Sequence, residues 1–173
     1  MAAGLSAPDN QQLGVMPEDI PVVDIGGLYS DDPAAKAAVA ERIGAACDDI
    51  GFFYVVNHNV PLQTIDRAVA MADRFFGLPE AERLKIKADS NNRGYRDIWD
   101  SVHRNGKTNA KDSFDLGFPV SADDPEVKAG TPFYAPNVWP EMPGFREAIE
   151  SYYLETYRLG MKILEGFALY LGQ

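Results

Sequence analysis

The sequence predicts an α+β fold in which short strands are set among helices, and three observations predict it. Ile20-Pro21-Val22-Val23-Asp24-Ile25 is a β-branched run closed by Gly26-Gly27. Phe52-Phe53-Tyr54-Val55-Val56 is a continuous apolar run of strand length. Between and after these runs, apolar residues recur at steps of three and four, which is helical spacing.

Residues 1–19 bury little, with Gly4, Ser6, Pro8, Asp9, Asn10 and Gly14 among them, and are expected to be a flexible leader. Residues 20–173 are expected to form the folded region. Its first strand tolerates Pro21 near its start, where a missing N–H costs nothing. Asp31-Asp32-Pro33 then opens a helix, with an acidic cap, proline at the first helical position and negative charge at the positive end of the dipole. Val39, Ile43, Ala46 or Cys47, and Ile50 supply its apolar stripe, and Gly51 ends it. The run from Phe52 shows no alternation, so both faces are expected to be covered, as in a strand inside a sheet. A second helix is expected from Pro61, burying Ile65, Val69, Ala72 or Met71, and Phe75-Phe76, and Pro79 starts a short third one. From Lys87 to Asn109 the pattern dissolves into a polar loop. Ser113 to Phe118 alternates as a strand would, and the six prolines of 119–144 mark connecting structure. A long helix over about 143–172 closes the chain, spanning roughly 40 Å at ~1.5 Å per residue. Its Tyr152, Tyr153 and Tyr157 read as core or interface packing.

The chain has 173 residues, 26 Asp plus Glu against 16 Lys plus Arg, and a formal charge of -10. That balance argues against nucleic acid and anionic membrane as partners, since tracking phosphates needs clustered cations. One cysteine, Cys47, cannot form an internal disulfide, and no apolar run is long enough to cross a bilayer, so a soluble, cytoplasmic protein is expected.

Most motifs point away from chemistry in this chain. A carboxylate two residues after a histidine would open a facial iron site. His58 has Val60 there and His103 has Asn105. His58 reads as a structural histidine bonded to backbone, and His103 as a surface residue. Gly106-Lys107-Thr108 lacks the first glycine of a phosphate loop, which would fall at Ser101. Cys47 sits on an apolar helix side and reads as an inert thiol. Asp31-Asp32, Asp48-Asp49 and Asp123-Asp124 read as caps or solvated charge, two of them standing before proline. What remains is Asn92-Arg93-Gly94-Tyr95-Arg96 with Trp99, where two planar cations, a phenol and a glycine could hold a carboxylate or phosphate, or form an ordinary solvated loop.

Several segments, taken in order, resemble the amino-terminal half of the isopenicillin N synthase-like family of non-haem Fe(II), 2-oxoglutarate-dependent oxygenases. They are Ile20 to Asp24, Gly51 to Pro61, Phe75-Phe76-Gly77-Leu78-Pro79, Arg93-Gly94-Tyr95, Lys111 to Gly117 and Pro136-Asn137-Val138-Trp139-Pro140. Asn59 stands where the family usually has glycine, and Asp112 where it usually has glutamate. The resemblance implies that these helices and strands brace a jelly-roll (double-stranded β-helix) core from outside. It also implies that the carboxyl-terminal half of that core, with the iron triad and the arginine for 2-oxoglutarate, is absent from this chain. No catalytic, cofactor-binding or metal residue is therefore expected here. Fe(II) and 2-oxoglutarate would be bound by the intact protein and not by this chain alone. The loop after the third helix would help select a small-molecule substrate, which makes Arg93, Tyr95, Arg96 and Trp99 the substrate-binding candidates. The expected function is the scaffold and substrate-side wall of a dioxygenase, an oxidoreductase performing hydroxylation, desaturation or ring closure. The alternative expectation is a naturally truncated, noncatalytic binding or interaction domain.

Overall fold

A computed structural model describes residues 19–98 and 111–173, and Trp99, His103 and Gly106-Lys107-Thr108 lie outside the described residues. The elements are β1 (Val22–Asp24), α1 (Pro33–Asp49), β2 (Tyr54–Val56), α2 (Leu62–Phe76), α3 (Glu80–Arg83), β3 (Gly94–Arg96), β4 (Ser113–Asp115), α4 (Pro125–Lys128) and α5 (Phe145–Tyr170). The mixture of helices and short strands is the α+β class expected. The chain divides into two units, the first formed by residues up to Val60 together with Thr156–Gln173, the second by Pro61–Glu155.

In the first unit β1 and β2 pair in parallel, with Val22 opposite Tyr54, Val23 opposite Val55 and Asp24 opposite Val56. Strand alternation sends Val23 and Val55 inward, against Ile25, Leu28, Val39, Ile43 and Ala46. The same core receives Leu159, Ile163 and Phe167 from the later part of α5. Asp32 caps α1 by accepting the Ala34 N–H at 2.9 Å, and Pro33 occupies the first turn, as the Asp-Asp-Pro signal requires. Two ties fasten α1 to α5 at its edges: Lys36 to Glu165 at 2.7 Å, and the Tyr170 hydroxyl donating to Asp48 at 2.6 Å.

Coverage of the β2 strand differs from the expectation. Only one face is covered: Phe52 is 70% exposed, Tyr54 58%, and Val22 and Val56 are also exposed. Among the described residues β2 has a single neighbour, so it is not an interior strand, and a two-stranded sheet can bury one face only against α1. The apolar run registers two-sided burial that this chain supplies on one side.

The second unit is organised around Phe75, Tyr95 and Phe145, with Met71, Phe76, Phe114, Trp139 and Ile149 packed on them. Phe75 is fully buried and meets four aromatic rings at centroid distances of 5.2 to 6.0 Å. Val69 of α2 is exposed; the inward stripe runs instead through Ala68 and Phe75, seven residues apart. The expected irregular stretch from Lys87 contains a strand, β3, antiparallel to β4 with Tyr95 opposite Phe114 and Arg96 opposite Ser113. Polar residues hide it in the sequence, because only Tyr95 of its three residues carries a large apolar body. Asp124 caps α4 through the Glu126 N–H at 2.9 Å, so the second Asp-Asp-Pro also marks a helix start. No described helix is long and apolar enough to cross a membrane.

Ile43 of α1 is completely buried in a core that also receives the later part of α5. Ile43→Ala is expected to lower unfolding free energy by about 2–5 kcal/mol, and Asp32→Ala by about 1 kcal/mol. Urea unfolding followed by circular dichroism checks both.

A two-faced hairpin as the candidate functional site

The β3–β4 hairpin and its leading turn carry three of the four substrate-binding candidates, and the pleat sorts them. Successive side chains on a strand point to opposite faces, so Tyr95 and Arg96 cannot share one. Tyr95 and Phe114 face the aromatic core, whereas Arg96, Ser113 and Asp115 occupy the outer face.

On the inner face the Tyr95 ring is 2% exposed and its hydroxyl donates to Asp112 at 3.1 Å. Arg83 of α3 reaches the same carboxylate oxygen at 2.6 Å and lies over the Tyr95 ring, 5.0 Å from its centroid. Burial first, and then the bond to Asp112, hold the Tyr95 phenol above its ordinary range. Gly94, at φ 121°, packs against the Ile86 carbonyl, an approach that a Cβ would block. The Tyr95 carbonyl then accepts from the Ala88 N–H at 2.7 Å, which secures the other edge of β3.

On the outer face the Arg96 guanidinium donates to Asp115 through Nε and to Asn92 through Nη2. Ser113 donates its hydroxyl to the other oxygen of Asp115 at 3.2 Å. Arg96 therefore belongs to a polar cluster of four side chains, of which Asn92 is exposed and the others are partly exposed.

Arg93 has a different setting. Nη1 donates to the carbonyls of Asn91 and Asn92 at 3.1 and 3.2 Å, and Nη2 to the Phe133 carbonyl at 2.9 Å. The bond to Phe133 holds a bulky residue at φ 61°, in the left-handed region where side chains other than Asn and Gly are rare. Gly117 gives the guanidinium room, since a Cβ there would collide with it. Arg93 Nε is buried without a hydrogen-bond partner among the described residues.

The structure thus brings Arg93, Tyr95 and Arg96 into one hairpin and its leading turn, with Tyr95 turned inward and Arg96 outward; Trp99 lies outside the described residues. Asp112, Arg83, Asp115 and Asn92 join them as residues that the sequence did not single out for the site. The signal available for the two acids is the hairpin itself, in which Asp112 and Asp115, three residues apart, fall on opposite faces. Among the described residues no group of three His, Cys, Asp or Glu side chains could hold a metal ion. His58 accepts the Val60 N–H through Nδ1 at 3.1 Å, and its carbonyl accepts the Tyr29 hydroxyl at 2.9 Å, a backbone role. Asn59, in place of a glycine, adopts φ 59°, a conformation asparagine tolerates. Cys47 is half-buried against the first core and has a free thiol. A concavity of about 450 Å³ lined by Val120, Pro136, Trp139, Arg146 and Glu150 holds none of the candidates.

Fold and site together define an α+β scaffold that presents a charged hairpin and has no metal-ligand group among its described residues. Residues 20–142 match the family described as non-haem dioxygenase in morphine synthesis N-terminal, and the chain belongs to that family. It is 34% identical over 158 residues to isopenicillin N synthase of Amycolatopsis lactamdurans, covering 90% of this chain and 48% of that protein. It is 40% identical over 169 residues to azadirone synthase of Melia azedarach, covering 94% and 47%. A crystal structure of a putative 2OG-Fe(II) oxygenase family protein from Caulobacter crescentus superposes with a TM-score of 0.73 at 25% identity, over 88% of this chain and 48% of that one. A Neurospora crassa protein crystallised in complex with alpha-KG and 5-formyluracil shares the fold at 21% identity, with a TM-score of 0.69 over 88% and 45%. The chain spans about half the length of the curated relatives it matches.

Because the folded phenol of Tyr95 holds its proton more tightly than an unfolded one, its contribution to stability is complete below the ordinary tyrosine range and is lost as pH rises through the raised folded value. Alkaline unfolding is expected to be shallower in Tyr95→Phe than in the native chain. Urea midpoints compared at about pH 8 and pH 11 check this, and parallel slopes would count against it.

Proposed function

We propose that this chain is the amino-terminal scaffold and substrate-side wall of an Fe(II)/2-oxoglutarate-dependent dioxygenase that oxidises a small organic molecule. The observation that carries this reading is the family match over residues 20–142, coupled with coverage of only about half of each relative. On this reading residues 20–173 act as one amino-terminal region behind the leader 1–19. The jelly roll, the metal ligands and the residues for 2-oxoglutarate belong to the half of the relatives that this chain does not cover. The described residues do not fit the metal, so no step of the oxidation is assigned to them.

Two exposed apolar surfaces support a scaffold role. One is the open face of the β1–β2 sheet, with Val22, Phe52, Tyr54 and Val56. The other is a stripe on α5 at Tyr157, Met161 and Leu164, at helical spacing, continued by Leu171 just beyond the helix. A jelly roll packed on these faces would remove them from water and give β2 the two-sided burial its sequence encodes. The unpaired thiol of Cys47 suits a reducing compartment, the cytoplasm.

The chain's share of the chemistry is binding, orientation and exclusion of water. Arg96 is the substrate-facing candidate: its guanidinium lies on the outer face of the hairpin, and an anionic substrate group would compete with Asp115 for it. Arg93 secures the turn that leads into β3, Tyr95 anchors the strand from behind, and Trp99 completes the candidate set. Hydroxylation, desaturation and ring closure are all compatible with this wall.

Succinate release from 2-oxoglutarate with Fe(II) tests the reading. The 173-residue chain is expected to release none, and a longer product of the same reading frame is expected to release it in a substrate-dependent manner. Stoichiometric iron binding with succinate release by the 173-residue chain would overturn it. In the longer protein Arg96→Ala is expected to raise the apparent substrate constant more than that for 2-oxoglutarate, and equal effects would remove Arg96 from the substrate side.

A further inference from the structure

The paired strands of the hairpin are three residues each, too short to fix their own register. A slip of one residue would turn Arg96 to the core and Tyr95 to solvent. On the outer face Arg96, Ser113 and Asp115 are all polar and partly exposed, so water can replace their mutual bonds at small cost. Aromatic burial on the inner face favours Tyr95 and Phe114 inward, but a ring packing against rings has no directional requirement as strict as that of a hydrogen bond. The Ala88 N–H donating to the Tyr95 carbonyl fixes the backbone of β3 on its other edge, and the directional side-chain element on the inner face is the carboxylate of Asp112.

Asp112 immediately precedes β4 and lies on the same face as Phe114, two residues on. A single oxygen, Oδ2, accepts from both Arg83 and the Tyr95 hydroxyl. Arg83 comes from α3, so the carboxylate joins three segments: α3, the middle of β3 and the start of β4. The Arg83 side chain is 16% exposed and its Nε is buried without a hydrogen-bond partner among the described residues, so the cation depends on Asp112 for compensation. A slipped β3 would remove the phenol from this oxygen and bring no other hydroxyl of β3 to it.

We propose that Asp112 is a positioning residue whose bonds to Tyr95 and Arg83 lock the register of the hairpin and thereby keep Arg96 on the outer, substrate-facing side. The assignment of that side to substrate rests on the oxygenase reading; the lock itself does not.

The test follows the Arg96 Nε–H resonance and the hairpin amides by NMR in the full 173-residue chain, beside urea unfolding. The variants are Asp112→Asn and the double exchange Arg83→Met with Asp112→Leu. Arg83 and Asp112 are partly buried, and replacing both members of a desolvated ion pair with apolar side chains commonly restores the stability lost by removing one. The double variant is therefore expected to unfold near the native urea midpoint. Its Arg96 Nε–H signal is nonetheless expected to leave its native position as the bonds to Asp115 and Asn92 are lost, and the amides of Gly94–Arg96 and Ser113–Asp115 to exchange at least ~10-fold faster. Asp112→Asn, which can still accept from Tyr95 but leaves Arg83 uncompensated, is expected to show a lower midpoint with a smaller shift of Arg96. A native Arg96 signal and native hairpin exchange in the double variant would overturn the proposal, whether or not its midpoint recovers. None of these readings needs iron or substrate, so failure of succinate release would sink the oxygenase reading and leave the lock standing, and the reverse holds equally.

Discussion

The aromatic contact of Phe75 with Tyr95, Phe114 and Phe145 is the interaction on which the rest of the second unit depends. Neither β3 nor β4 has the length to persist as a hairpin in water, and neither α3 nor α4 exceeds about a single turn. What holds these fragments in place is a shared buried surface, contributed by α2 through Phe75 and by α5 through Phe145. The rings of Tyr95 and Phe114 meet Phe75 edge to face, which buries the inner face of both strands. The polar outer face can then carry charges that contribute little to stability, because the inner face has already secured the strand.

The first unit solves a different problem and leaves part of it open. Its core is formed where α1 and the later part of α5 pack on Val23, Ile25, Leu28 and Val55. The opposite face of the sheet stays apolar and exposed, as does a second side of α5. Edge strands and solvent faces normally carry charges, which this face lacks at Val22, Phe52, Tyr54 and Val56. The apolar residues there have a physical purpose if a further layer covers them, and the coverage of only half of each relative supports such a layer.

Much of this is legible in the sequence because it is written in local chemistry. Asp32-Pro33 and Asp124-Pro125 begin helices since an acid and a proline satisfy the first turn whatever lies around them. The long helix is readable from its spacing, and His58 from its place between a strand and a proline. The rest depends on partners distant in sequence. β3 is hidden because its glycine and arginine carry no strand pattern; its pairing with Ser113–Asp115 is what defines it. Val69 fits the helical stripe but falls at its edge, which only packing decides. The separation of Tyr95 from Arg96 follows from the two-residue period of a strand, but only once the strand itself is recognised. Asp112 draws its role from Arg83, 29 residues earlier, a relation no local pattern contains.

On the proposed oxygenase reading, a further layer covers the open sheet face and the α5 stripe. Sedimentation velocity of the 173-residue chain across a concentration series, together with binding of an apolar fluorescent dye, tests it most directly. Dye binding and concentration-dependent association are expected, both suppressed in a longer product of the same reading frame. A monomer that stays dispersed at high concentration and binds no dye would contradict it.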